Sequence, residues 1–233
     1  MLLKKFFKFV LPSIVSMWVF ALYTMVDGMF VAWGVGEDAL ASVNLSMPYV
    51  IMIFTVGLLM ATGTSTLISI ALGKGEKERA SSLFTMNLAV LTAVSFAVTA
   101  VSMIFLEPLA LFLGASPTNL VYVKEYVGTI AAFAVFFILS YNMEALVKTD
   151  GTPAVSAIGV TACGLTNVVL DYIFVMRFHW GVFGAAFATG LAQATSTTIF
   201  FIYFLKFRKT LRFKRFRLDL SIYKRIIPLG MAN

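Results

Sequence analysis

The segment "PAVSAIGVTACGLTNVVLDYIFVM", residues 153–176, decides the fold class because it holds one charged side chain, Asp171, in an otherwise apolar or weakly polar run. A helix needs roughly 20 such residues to cross a hydrocarbon core about 30 Å thick. Membrane-spanning strands show alternating apolar and polar residues, and this run lacks that alternation. The segment therefore predicts a transmembrane helix that contains a carboxylate.

The rest of the chain has the same character. Of its 233 residues, 60% are hydrophobic and only 12% are charged, whereas about a quarter of the residues in soluble domains are charged. The apolar runs between charge clusters and turn residues predict six helices, at residues 7–33, 45–72, 81–106, 121–147, 153–176 and 181–206. We therefore predict an all-α, polytopic membrane protein, a six-helix bundle whose first partner is the lipid bilayer.

The basic residues indicate how the chain is oriented. Sixteen of the eighteen Lys and Arg lie before the first predicted helix, after the second, after the fourth or after the sixth. They include Lys4, Lys5 and Lys8 and the stretch "KFRKTLRFKRFRLDLSIYKR" at 206–225. The positive-inside bias predicts that the N-terminus and these segments are cytoplasmic in the cell (inner or plasma) membrane. This topology accounts for the net charge of +7, so no nucleic-acid partner is needed.

Three segments divide the chain. Residues 1–206 form the predicted helical lobe, 207–225 a basic cytoplasmic loop, and 226–233, "IIPLGMAN", the beginning of a seventh helix. Eight residues cannot complete a span. We expect the chain to be the first half of a longer protein.

Asp27 and Asp171 are the candidate site residues that an apolar bundle explains least well. A charge inside a span costs at least about 2.5–3.5 kcal/mol, so such residues usually face a polar interior. Tyr23 precedes Asp27 by one helical turn, and Asn167 precedes Asp171 in the same way. At about 1.5 Å per residue, Thr189 lies at a similar depth to both carboxylates. These residues can line one cavity that binds a proton or a cation; alternatively, they hydrogen-bond neighbouring helices in a structural role.

A third intramembrane carboxylate, Glu144, has a nearer explanation. It precedes Lys148 by four residues, the spacing of an ion pair on one helix face.

The sequence gives little support to enzymatic chemistry or to a bound cofactor. It has one His, one Cys, and no nucleotide-binding, zinc-protease or serine-hydrolase motif. An intramembrane aspartyl protease is a remote alternative because two aspartates are present, but "VDGM" and "LDYI" lack its glycine-flanked motif. We predict that the protein is not an enzyme and needs no cofactor beyond a coupling ion.

Several stretches together resemble the multidrug and toxic compound extrusion (MATE) family, and its DinF-like branch most closely. The resemblance runs over essentially the whole chain, although each short motif alone is weak. It is carried by "LYTMVDGMFVAWGVGEDALASVNLSMP" (22–48), "LISIALGKGEKERA" (67–80), "KTDGTP" (148–153), "NVVLDYIFV" (167–175) and "GVFGAAFATGLAQ" (181–193).

The resemblance implies a fold of twelve helices in two six-helix lobes, with this chain as the N-terminal lobe and a C-terminal lobe as its missing partner. It implies an antiporter that uses H⁺ or Na⁺ to export amphipathic, cationic organic compounds. A flippase for lipid-linked or amphipathic substrates is the alternative within the same superfamily.

The resemblance also implies roles for particular residues. A cation site that can hold Na⁺ corresponds to Asp27, Asn167, Asp171 and Thr189, and Tyr23 lines the same pocket. The family has an asparagine on helix four, for which Asn142 is the nearest candidate, and a proline near the start of helix one that corresponds to Pro12 as a hinge.

Overall fold

The computed structural model describes residues 2–231, without the side chains of residues 2–6, 8 and 9. Across residues 2–231 the regular structure is helical and no strand forms. The helices are α1 Leu2–Gly34, α2 Glu37–Gly73, α3 Lys77–Ile104, α4 Leu106–Phe112, α5 Leu120–Ala132, α6 Ala134–Thr149, α7 Pro153–Asp171, α8 Gly181–Ile202 and α9 Tyr223–Met231. Two of them continue directly into π-helical turns, α7 into Tyr172–Arg177 and α8 into Tyr203–Phe207, and a 3₁₀ turn at Leu220–Ile222 precedes α9.

The transmembrane prediction is confirmed. Five helices are long and apolar enough to cross a membrane: α1 from Val10, α2, α3, and α7 and α8 with their π-helical turns. Helices α5 and α6, which are bent by 54° at their junction, are together long and apolar enough for a sixth span. The side chains of Lys4, Lys5 and Lys8 lie outside the described residues, so the orientation of the bundle stays a prediction.

The prediction of one continuous helix over 121–147 was wrong, because the chain breaks at Phe133 between α5 and α6. Two hydroxyl groups from other helices bond to carbonyls beside the break. Thr99 of α3 donates to the Ala131 carbonyl at 2.7 Å, and Thr197 of α8 donates to the Phe136 carbonyl at 3.0 Å. Backbone groups freed within a membrane are tolerated where protein satisfies them in this way.

Two other predicted boundaries also need correction. Helix α2 begins at Glu37 and not near residue 45, because Glu37 and Asp38 occupy its first turn, where the helix dipole favours negative charge. Part of the loop predicted after the third helix forms α4. It is held by the fully buried Ala110 and by an ion pair of 2.7 Å between Glu107 and Lys124 of α5.

The basic stretch after α8 lies against the bundle. The Asp150 carboxylate accepts hydrogen bonds from the backbone N–H groups of Lys209, Thr210 and Leu211 at 2.7–2.9 Å. The loop also contacts α3, where Lys214 pairs with Glu78. The Asp150 side chain is buried and organises the loop.

Helix α9 packs closely on α2 through two glycines. A Cβ atom at Gly63 of α2 would overlap the carbonyl group of Ile226, and one at Gly230 of α9 would overlap the carbonyl group of Leu59. The two backbones therefore touch at two points where no larger residue fits.

Candidate functional site

Asp27 of α1 and Asp171 at the end of α7 are buried next to each other. Asp171 is fully buried and Asp27 is 8% exposed, and their carboxyl groups are near neighbours. When both are ionised, neither can donate. Oδ1 of Asp27 and both oxygens of Asp171 then have no hydrogen-bond partner among the described residues. Two adjacent carboxylates repel each other strongly in such surroundings unless they share a proton or a cation.

Asn167 lies one helical turn before Asp171 on α7 and contacts Thr189 of α8. The Asn167 side-chain amide donates to Thr189 Oγ1 at 3.3 Å, and the Thr189 hydroxyl donates to the Ala185 carbonyl at 2.9 Å. The Asn167 side-chain oxygen is buried and has no partner in the described part of the chain. It therefore remains available to a bound group.

Tyr23 connects the carboxylates with a neighbouring cavity. Its ring packs on α7, where a Cβ atom at Gly164 would lie 3.1 Å from Tyr23 Cδ1. One turn further along α1 is Asp27. Tyr23 also lines the cavity, whereas the two carboxylates are not part of the cavity wall. That Tyr23 lines the pocket of the cation site stays a prediction.

The cavity has a volume of about 480 Å³ and lies between α1, α6, α7 and α8. It extends towards the end of the bundle that carries the α6–α7 turn. Its wall includes Tyr23, Tyr141, Glu144, Lys148, Cys163 and Gln193. The predicted ion pair is present, with 2.7 Å between Lys148 Nζ and Glu144 Oε1. Sequence analysis gave this pair a structural role and did not predict that it faces a cavity.

Asn142 belongs to a different polar cluster. Its side-chain oxygen accepts a hydrogen bond from the Asn87 amide at 2.9 Å, and the Asn87 oxygen accepts from the Thr64 hydroxyl at 3.0 Å. All three side chains are buried. The predicted assignment of Asn142 to the cation site therefore has no hydrogen bond to support it among residues 2–231.

Two backbone features lie near the site. The chain changes from α-helix to π-helix directly after Asp171, an irregularity frequent at functional sites. Gly34 of α1 approaches this turn so closely that a Cβ there would lie 2.6 Å from Val175 Cγ1. Sequence analysis missed the π-helical turn because its composition resembles any apolar helix. Pro12, the predicted hinge, lies inside α1, and its carbonyl accepts a hydrogen bond from Ser16 at 2.9 Å.

The oxygen atoms of this site limit which ions it can bind. Unpartnered carboxylate and amide oxygens suit a proton or a hard cation such as Na⁺. In the part of the chain that the structure describes, no three His, Cys, Asp or Glu residues cluster as a metal site. The Asn167 oxygen and the Thr189 hydroxyl are further oxygen atoms that could hold Na⁺ beside the two carboxylates.

Comparison with known proteins points to one family. The MatE family model matches residues 12–173. The multidrug export protein MepA of Staphylococcus aureus strain NCTC 8325 is 26% identical over 203 residues, which are 87% of this chain and 45% of that protein. MepA of Staphylococcus haemolyticus strain JCSC1435 is 24% identical over 210 residues, 90% of this chain and 46% of that protein.

Solved structures show the same fold. A crystal structure of MATE in complex with MaD3S superposes with a TM-score of 0.89 at 25% identity, covering 98% of this chain and 52% of that chain. The inward-facing conformation of a multidrug resistance MATE family transporter superposes with a TM-score of 0.84 at 24% identity, covering 90% of this chain and 48% of that chain. This chain therefore spans about half the length of the curated relatives and structures that it matches.

Proposed function

This chain belongs to the MatE family of multidrug efflux transporters, and from that membership we propose that it is the N-terminal lobe of a cation-coupled antiporter that exports amphipathic organic cations. The family consists of transporters, which removes the intramembrane protease from consideration. Transport itself is proposed for the complete twelve-helix protein, in which a C-terminal lobe supplies the other wall of the substrate path.

The buried pair Asp27 and Asp171 is the observation that carries this proposal. The pair leaves three carboxylate oxygens without partners among the described residues, so binding of H⁺ or Na⁺ relieves both the repulsion and the missing contacts. Because Asp27 lies on α1 and Asp171 on α7, the bound ion changes the attraction between these two helices. Asn167 and Thr189 complete the ion site in this proposal.

Coupling requires that the ion bind differently to two packings of the lobe. In the protonated or Na⁺-bound state, α1 and α7 can pack closely at the site. In the empty state, the two charges favour separation of these helices or entry of water. Alternation between the packings gives access from one side of the membrane and then from the other. With a cytoplasmic N-terminus, the ion enters from outside and substrate leaves in the opposite direction.

The test uses the full-length protein that carries this chain, reconstituted in vesicles with a fluorescent cationic dye. An imposed H⁺ or Na⁺ gradient should drive dye movement, and the gradient that does so identifies the coupling ion. Asp171→Asn should abolish the driven movement, whereas Asp38→Asn, at the exposed start of α2, should leave it intact. Unchanged dye movement in Asp171→Asn would rule out the coupling role. Movement of a labelled lipid in place of the dye would favour the flippase.

A further inference from the structure

The ion pair between Glu144 and Lys148 leaves one carboxylate oxygen without a hydrogen bond from the described residues. Lys148 Nζ donates to Glu144 Oε1 at 2.7 Å, and the Ser156 hydroxyl donates to the same oxygen at 3.0 Å. No described residue donates a hydrogen bond to Oε2. Glu144 lines the cavity and its side chain is only 18% exposed, so Oε2 is a shielded acceptor on a residue of the cavity wall.

Lys148 is placed to leave this carboxylate without disturbing the fold. Its side chain is 34% exposed, and Glu144 Oε1 is the partner described for its ammonium group. A lysine carries its charge on a flexible four-carbon stem, so it can swing away at little steric cost. Glu144 keeps its hydrogen bond from Ser156 when the lysine departs.

The remaining wall suits a flat or bulky apolar group. Phe20, Tyr141 and Met17 contribute two aromatic rings and a thioether, and hydroxyl groups such as that of Ser196 contribute polar contacts. The volume of about 480 Å³ lies within the range of roughly 300–1,000 Å³ that accommodates drug-sized molecules. An aromatic ring beside a carboxylate also favours a cationic ligand.

We propose that Lys148 is a tethered counterion, which an organic monocation replaces on Glu144, so that Lys148 sets the charge selectivity of this cavity. The ligand first approaches Oε2, where its positive charge repels the lysine ammonium. Lys148 then moves away, and the apolar part of the ligand packs on Phe20 and Tyr141. The lysine competes with every cationic ligand but with no anionic one. This inference rests on the proposed function, because it names the place where the exporter takes up its cationic substrate.

Cys163 provides a direct measurement of occupancy. It is the single cysteine of the chain and lines the same cavity. The 233-residue chain is reconstituted in lipid nanodiscs and treated with methyl methanethiosulfonate, a small neutral reagent whose approach does not depend on nearby charge. Mass spectrometry follows the rate of modification, and Cys163→Ser gives the background. Rhodamine 6G serves as the monocationic probe and fluorescein as the anionic one.

Rhodamine 6G should slow the modification of Cys163. In Lys148→Gln the concentration that halves the rate should fall about tenfold, the size expected for a partly shielded charge pair. Glu144→Gln should raise this concentration at least tenfold. Fluorescein should not protect more strongly in Lys148→Gln than in the wild type. Lys148→Arg should keep the wild-type value. Lys148→Met provides a second removal of the charge if the glutamine variant folds poorly.

Lys124→Gln is the matched control. It removes the lysine from another pair with a distance of 2.7 Å, to Glu107, on a part of the surface outside the cavity, and should change nothing. The proposal is overturned if Cys163 does not react or if rhodamine 6G gives no protection. It is also overturned if Lys148→Gln changes the protecting concentration of neither dye, or changes that of both dyes equally. Protection needs no ion gradient, so the 233-residue chain with Asp171→Asn should retain it, while the full-length protein with the same substitution loses driven transport. Lost protection with intact driven transport would defeat this inference alone.

Discussion

The Tyr203 hydroxyl donates a hydrogen bond of 2.7 Å to Asp150 Oδ2, the same oxygen that accepts from the backbone N–H of Lys209. One carboxylate thus joins the end of α8, the α6–α7 turn and the basic loop that follows. The contact explains why a stretch so rich in Lys and Arg has a fixed path along the bundle.

Asp150→Ala should release the basic loop. Hydrogen bonds to a charged acceptor contribute about 1.5–3 kcal/mol each, and opening of the loop becomes about tenfold more frequent for every 1.4 kcal/mol lost. Trypsin, which cuts after Lys and Arg, should therefore cleave the 208–219 stretch at least about tenfold faster, as measured by the rate of fragment appearance. Asp219→Ala removes an exposed carboxylate from the same stretch, and trypsin should cleave this variant at nearly the wild-type rate. Equal acceleration in both variants would show that Asp150 does not hold the loop.

Thr189→Val should destabilise the lobe with almost no change in shape. The substitution removes the acceptor of the Asn167 amide, which leaves a buried polar group without a partner at a cost of about 1–3 kcal/mol. Thermal unfolding of the purified chain in detergent measures the loss. Thr198→Val is the control, because that exposed hydroxyl bonds to the Ala194 carbonyl of its own helix. A stability equal to that of the control would mean that the bond between Asn167 and Thr189 contributes nothing.

Gly190→Ala should disturb the break between α5 and α6. A Cβ atom at Gly190 overlaps the ring of Phe133, and overpacking of this kind costs about 1–3 kcal/mol. The melting temperature should fall accordingly. Gly73→Ala, where the added Cβ meets nothing within 4 Å, should leave stability unchanged or raise it. A neutral result for Gly190→Ala would show that Phe133 can move aside freely.

The pair Glu107 and Lys124 should give a pH-dependent contribution. A hydrogen bond from Lys124 and the charge of its ammonium hold the pKa of the Glu107 carboxyl below its usual 4.5. A lowered pKa in the folded state stabilises the fold above 4.5, and the benefit is lost as the pH falls through the lower folded value. The difference in melting temperature between wild type and Glu107→Gln should be constant near neutral pH, narrow below 4.5 and then vanish. A difference that persists in strong acid would contradict an origin in ionisation.

Sequence reasoning located the spans and the principal polar residues well, because both follow from local physical requirements. A membrane demands long apolar runs, so the six spans were visible in composition alone. A carboxylate in such a run is costly, so Asp27 and Asp171 stood out individually. Helical rise then related their depths to that of Thr189, which accepts a hydrogen bond from Asn167, one turn before Asp171.

The features that sequence reasoning missed depend on contacts between distant residues. The break at Phe133 is held by Thr99 and Thr197 from other helices, so the residues at the break carry no local signal. Asn142 looked equivalent to a cation-site residue until its hydrogen bond to Asn87 was known. Glu144 and Lys148 have the spacing of an ion pair whether or not a cavity adjoins them. Only the packing of α1, α7 and α8 around α6 shows that this ion pair lies beside a cavity.

The paired glycines Gly63 and Gly230 have a mechanical consequence. Because the backbones of α2 and α9 touch at both positions, neither helix can slide along the other without a clash against a carbonyl group. A displacement of α2 along its axis is therefore transmitted directly to α9. The basic loop is held by Asp150 near its first residues and by the contact between α2 and α9 after its last. It therefore connects α8 to α9 as a rigid segment and not as a flexible linker. A tilt of α2 therefore turns the α9 segment with it.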